Sequence, residues 1–161
     1  MAGEIGMNGG APMNERHEGG MGVPSIQARE DEFLQNLELL DDDLLQFEYI
    51  LGFIDDLNGI PEGQRTDDCK VEGCVSNAWL IIEDHDGLLS LRLDADSLLI
   101  EGLLGVLTWM LDLQPLPDVA AWQPRLLEHP RMKPLLTIDR RQGISSVVKA
   151  IRAFCMANTA Q

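Results

Sequence analysis

Apolar residues recur along this chain first at helical and then at strand spacing, and the changes of period divide it into elements. Phe33, Leu37 and Leu40 step by three or four before Asp41-Asp42-Asp43 breaks the pattern. Three aspartates ahead of a new apolar face predict a helix N-cap, because carboxylates complement the positive end of a helix; they fit a metal cluster less well. Leu44, Phe47, Leu51, Ile54 and Leu57 then form one apolar face of a second helix. The Gly, Pro and Asp content of Asn58 to Asp68 predicts a loop, which leads into Cys69-Lys70-Val71-Glu72-Gly73-Cys74-Val75-Ser76. Ala78 to Ile82 reads as one strand, and the alternation of Leu89, Leu91 and Leu93 with Ser90, Arg92 and Asp94 as another. Between them His85-Asp86-Gly87 predicts a hairpin turn, since Gly tolerates positive φ.

Asp96 or Ser97 is expected to cap a third helix, Leu98 to Leu111, which is apolar on most sides and therefore central. Gly102 and Gly105 lower its helix propensity but admit a close neighbour. Pro115, Pro117, Pro124, Pro130 and Pro134 cut the next stretch into turns and short helical pieces. A last helix is expected from about Ser145, with Ile144, Val147, Val148, Ile151 and Phe154 inward and Lys149 and Arg152 outward. Helices packed on one antiparallel sheet make an α+β fold. Residues 1–27 are rich in Gly, Met, Asn and Glu without any period, so a flexible N-terminal tail is expected there and a single domain over 28–158.

Composition narrows the partners. With 27 Asp and Glu against 12 Lys and Arg, the formal net charge of the 161 residues is -15. So acidic a chain repels phosphate backbones and anionic headgroups, which argues against nucleic acid and membrane surface and leaves a basic protein surface as the better partner. No apolar run approaches the roughly 20 residues that span a bilayer. The N-terminus lacks a basic region followed by an apolar one, so no signal peptide is expected. Three cysteines without a secretory signal fit free thiols in a reducing cytoplasm better than a disulfide framework.

Cys74 carries the candidate chemistry. It sits where a loop turns into a strand, after a glycine that permits a tight turn. A thiol at a loop tip is accessible. Its reactivity depends on the thiolate fraction, and nearby Asp67, Asp68 and Glu72 oppose ionisation, so a cation or a partner has to assist. The competing reading is a small apolar plug. Cys69 and Cys74 form a C-x4-C pair, but His17, His85 and His129 do not complete a zinc site, and no metal is expected. Cys69 is a possible resolving thiol for an oxidised or persulfurated Cys74, whereas Cys155 reads as core filling. A cysteine hydrolase needs an oriented histidine base, and the three histidines stand in poor contexts for it. No phosphate-binding glycine loop, H-E-x-x-H or G-x-S-x-G occurs. One reactive thiol without a self-contained active site calls for a partner.

Val71-x-Gly73-Cys74-x-Ser76-x-x-Trp79 resembles the signature of the SufE family, sulfur acceptors of iron–sulfur cluster assembly. Asp94-Ala95-Asp96 followed by Ile100-Glu101-Gly102-Leu103 is similar to the family's acidic stretch and G-L helix. Arg140-Arg141-Gln142-Gly143-Ile144 followed by Ala150-Ile151-Arg152 resembles its R-x-x-G-L motif and closing helix. Phe47-Glu48-Tyr49-Ile50 looks like its aromatic helix and Arg65 like its loop arginine, so the likeness covers roughly residues 30–157.

This resemblance implies a small three-stranded antiparallel sheet flanked by helices and a SufE-like domain over 28–158. It implies an accessory persulfide carrier and not an enzyme, one that takes sulfur from a cysteine desulfurase onto Cys74, stimulates that enzyme, and passes sulfur to a downstream iron–sulfur scaffold. Pyridoxal phosphate belongs to the desulfurase, and no cofactor is expected on this chain, whether monomer or homodimer. The motif arginine corresponds to Arg140, expected near the partner surface or the persulfide, where its fixed charge supports a sulfur anion. Gly73 and Ser76 are expected to shape the loop. Val75 and Trp79 are candidates to shelter the persulfide, although Trp79 reads more readily as a packed strand residue. The family often carries Gln, Gln and Val where this chain has Val75, Asn77 and Ala78, and a Leu-Gly pair where it has Phe53-Ile54. Cys69 replaces a commoner amide residue. These departures leave the acceptor thiol intact and bear on which desulfurase is recognised. The alternative is an iron–sulfur scaffold, which needs about three converging thiolates and a further ligand.

Overall fold

The computed structural model describes residues 23–74 and 76–159. Of the expected tail, residues 1–22 lie outside the described residues. Helix α1 (Ile26–Leu39) begins ahead of Ala28, because Ser25 caps it by accepting the Ala28 N–H at 3.0 Å and Ile26 is buried. The aspartate break acts as expected: Asp42 accepts the Leu44 N–H at 2.7 Å and starts α2 (Asp43–Leu51), which tightens into a 3-10 turn at Gly52–Asp56. Leu44 departs from the expected inward face and is exposed. Packing of this segment on its neighbour is centred further along, at Ile50 and Phe53.

Strands β1 (Ala78–His85) and β2 (Leu88–Ala95) pair antiparallel from Ala78↔Ala95 to His85↔Leu88. The two-residue turn between them has φ 55° at Asp86 and 88° at Gly87, the mirror-image geometry that matches strand twist. Leu89, Leu91 and Leu93 point into the core and are fully buried. Among the described residues the sheet has two strands, not the three expected. Beside β1, Lys70 makes an isolated bridge to Trp79, with the Val71 N–H donating to Ala78 O at 2.8 Å. A 3-10 turn at Asp67–Cys69 bends the chain before that bridge and Gly73, at φ 83°, turns it away after, so no ladder extends.

Helix α3 (Leu98–Leu111) is the centre of the molecule: every residue but Leu98 and Glu101 is buried. It packs on β2, α1, α2 and the Gly52–Asp56 turn. Its glycines set those distances, since a Cβ at Gly105 would lie 2.0 Å from Phe53 O and one at Gly102 2.9 Å from Ile50 O. Phe33, Tyr49, Phe53 and Trp109 form a contiguous aromatic cluster around the contact.

Helix α4 (Leu116–Ala121) and short turns at Leu126–Glu128 and Pro130–Met132 follow. The buried Glu30 of α1 ties this stretch down, accepting from Trp122 Nε1 and from the Arg125 and Leu126 amides. The last helix, α5 (Ile138–Ala157), starts seven residues before Ser145. Thr137 caps it through the Arg140 N–H, and Gly143 lies inside the helix instead of breaking it. No helix among the described residues is long and apolar enough to cross a membrane.

Candidate functional site

The chain reaches Cys74 through the Glu72-Gly73 turn, and Gly73 sits at the left-handed φ that favours glycine. A side chain there would also approach Ser146 Oγ to 3.1 Å. After the cysteine, Asp96 fixes the exit by accepting from Asn77 N–H at 3.1 Å and Asn77 Nδ2 at 2.8 Å. This use of Asp96 leaves the cap of α3 to Ser97, whose side chain makes no capping bond. The loop is thus anchored on both sides of a half-buried thiol.

Cys74, Ser76, Ile100, Thr137, Asp139 and Arg140 line one pocket of about 230 Å³. The start of α5 supplies half of that wall because the helix begins at Ile138, earlier than its periodicity suggested. Leu98 and Ile138, each beside or near a lining residue, are exposed. Burial pushes the Cys74 thiol above its ordinary range; the Ser76 amide lowers it and Asp96 raises it further. The resting group is a protonated thiol. The expected help from a cation is absent from these effects, although Arg140 borders the same pocket.

Arg140 is exposed, with Nη1 donating to Leu135 O at 3.3 Å. Its neighbour Arg141 is engaged elsewhere, with Leu127 O and the Glu128 carboxylate. Cys69 lies outside the Cys74 pocket. Its thiol faces Gln64 O and Thr66 O, both at 3.5 Å, and it borders a neighbouring pocket with Val71, Leu80, Ser146 and Ala150. Cys155 is fully buried, and burial first, then Asp84, pushes its thiol up to about 11. All three cysteines are free. No group of three or more His, Cys, Asp or Glu side chains is placed to hold a metal among the described residues. Val75 lies outside the described residues. Trp79 is half-buried under the Arg65 guanidinium, 5.0 Å from the ring centroid, and is not part of the Cys74 pocket.

A second polar cluster supports the sheet beside this loop. Arg65 Nη2 pairs with Asp94 at 2.8 Å and Arg65 Nε donates to Ile60 O at 2.8 Å, while Ile60 N–H donates to Asp94 at 3.2 Å. Glu101, facing Asp94, has its carboxyl pushed up by burial first and then by Asp94, with Arg65 opposing. Two residues of the site, and the role of a third, escaped the sequence reading. Thr137 and Asp139 were hidden by the late placement of α5. Gly143 had a visible signal: a glycine within a helical period costs about 1 kcal/mol and calls for a packing reason.

The chain matches the family described as "SufE: Fe-S metabolism associated domain" over residues 31–155. Among solved structures it is similar to the solution structure of a hypothetical protein from Thermus thermophilus, with a TM-score of 0.69 and 14% sequence identity. That match covers 83% of this chain and 97% of the Thermus protein, and it shows the shared fold.

Proposed function

This chain belongs to the SufE family and so to iron–sulfur metabolism, and on that premise we propose that it accepts sulfur from a cysteine desulfurase onto Cys74. The observation that carries the reading is the placement of the motif cysteine: Cys74, and neither Cys69 nor Cys155, shares a pocket with Arg140. Leu98 and Ile138 offer exposed apolar surface for a donor protein beside that pocket.

The step is an exchange between sulfurs. The Cys74 proton leaves, and its thiolate attacks the outer sulfur of the donor persulfide; a Cys74–sulfur bond forms as the donor's sulfur–sulfur bond breaks. The donor cysteine departs as thiolate, and no external oxidant or reductant is consumed. Burial holds the resting Cys74 as the less reactive thiol. Docking of the donor has to change that environment, and the charge of Arg140, in no ion pair among the described residues, is available to the anionic sulfur as it forms. Cys155 is fully buried, whereas Cys69 and Cys74 are half-buried and border different pockets, and this favours a carrier over a cluster scaffold.

The test is intact mass after incubation with a cysteine desulfurase carrying pyridoxal phosphate, plus cysteine. Wild type should gain about 32 Da, reversibly with reductant, and Cys74→Ser should gain nothing. An equal gain in Cys74→Ser would move the acceptor to another cysteine and end this reading.

A further inference from the structure

Gly143 is the one residue of α5 whose missing side chain is filled by the thiol itself. A Cβ built there would lie 2.7 Å from Cys74 Sγ, 3.3 Å from its Cβ and 3.4 Å from its Cα. A carbon atom at 2.7 Å from sulfur is well inside contact distance, so any side chain at 143 displaces the thiol or the loop. Further along the same helix Ser146 meets Gly73, and Ser146 and Ala150 border the pocket with Cys69, Val71 and Glu72. Gly143, Ser146 and Ala150 fall at i, i+3 and i+7, so a track of small side chains runs under the whole loop.

We propose that Gly143 is a positioning residue: it forms the seat that holds the Cys74 sulfur against the backbone of α5 and so sets how far the thiol is sheltered at rest. Gly143 is buried in the second turn of α5, where glycine has no turn to make. Its helical cost is offset only by what the small size admits, and the atom admitted is the Cys74 sulfur. The helix backbone closes the side of the thiol that faces the seat. A second sulfur attached to Cys74 therefore extends away from Gly143, towards the pocket bordered by Ser76, Thr137 and Arg140. The seat is a matter of geometry and stands apart from sulfur acceptance; only its importance for transfer rests on the function proposed above.

Two measurements test it, neither needing a donor. In the first, iodoacetamide alkylation is followed by mass-resolved peptides, with Cys69 of the same sample as reference. Gly143→Ala should speed Cys74 relative to Cys69 by about tenfold at neutral pH and move its pH profile to lower pH, as the sheltering that raises the thiol is lost. Gly63→Ala, at a glycine with open space around it, should leave the ratio unchanged. An unchanged ratio in a folded Gly143→Ala protein would overturn the seat. The second is a thermal double-mutant cycle. Gly143→Ala should lower the Tm by about 5 °C in the wild-type background, and by less than half of that in Cys74→Ala, which has no sulfur to collide with. Equal losses in both backgrounds, or failure of both to fold, would show that position 143 acts on something other than the thiol. If the seat passes and the mass test fails, sulfur acceptance falls while the seat remains.

Discussion

Arg65 and Arg140 both lie beside the cysteine loop in the family pattern, and they are held very differently. Arg65 is gripped on three sides: Asp94 and Ile60 O each at 2.8 Å, and the face of Trp79 at 5.0 Å. Among the described residues the Arg140 side chain makes a single hydrogen bond, of 3.3 Å to a carbonyl, and no ion pair. A cation whose field is already matched by a carboxylate has little left for an incoming anion, whereas an unmatched one on a pocket wall retains it. Beside the loop, then, one arginine is fixed in the framework and the other carries a charge matched by no carboxylate among the described residues.

Breaking the framework arginine should give the larger effect on stability. Arg65→Met removes the partner of Asp94, which is itself 8% exposed, and takes the guanidinium off Trp79. Removing one member of a fully buried pair costs about 3–5 kcal/mol. Here the Arg65 side chain is 26% exposed and Asp94 keeps its bond from Ile60, so the expected loss is about 2 kcal/mol, read as a lower urea midpoint. An unchanged midpoint would mean that Arg65 is no more committed than Arg140, and the contrast would collapse.

Arg140→Ala tests the other side. With no buried partner to strand, it should move stability by less than about 0.5 kcal/mol. Sulfur transfer from a desulfurase should fall about tenfold, worth about 1.4 kcal/mol of barrier. Arg140→Lys should recover part of the rate by restoring charge without the planar fork. Unchanged transfer kinetics in Arg140→Ala would remove its assigned role.

Much of this contrast could be read from the sequence, and some of it could not. The alternating leucines, the Asp86-Gly87 turn and the apolar α3 are local patterns, and they fold as their periods dictate. The glycine pair on α3 announced a close crossing, and a Cβ at Gly105 would indeed lie only 2.0 Å from Phe53 O. What failed depended on partners distant in the chain. The third strand, expected from the family resemblance and not from any period in the sequence, is not found among the described residues. The apolar period alone starts α5 near Ser145, two residues past Gly143; the glycine belongs inside the helix because of its tertiary contact with Cys74. Nothing local marks Glu30 as the anchor of Arg125 and Leu126, about 95 residues away.

The finest test of the contrast is its pH dependence, carried by Glu101 beside the Arg65–Asp94 pair. Burial, then the hydrogen bond and charge of Asp94, raise the Glu101 carboxyl from its ordinary value of 4.5, and Arg65 offsets this in part. An acid whose folded pKa lies above its unfolded value stabilises the fold while protonated. That contribution is complete below the unfolded pKa and is lost as pH rises through the folded one. Glu101→Gln keeps a neutral side chain at every pH. It should therefore match wild type near pH 4 and show a small gain in urea midpoint at pH 7, the least of the effects because Glu101 is only partly buried. Arg140→Ala should leave the wild-type difference between pH 4 and pH 7 unaltered, since no carboxylate among the described residues is tied to that arginine. A Glu101→Gln protein that loses stability at pH 7 would mean that the ionised carboxylate supports Arg65 alongside Asp94. The framework corner would then be a triad with a charge to spare, not a matched pair.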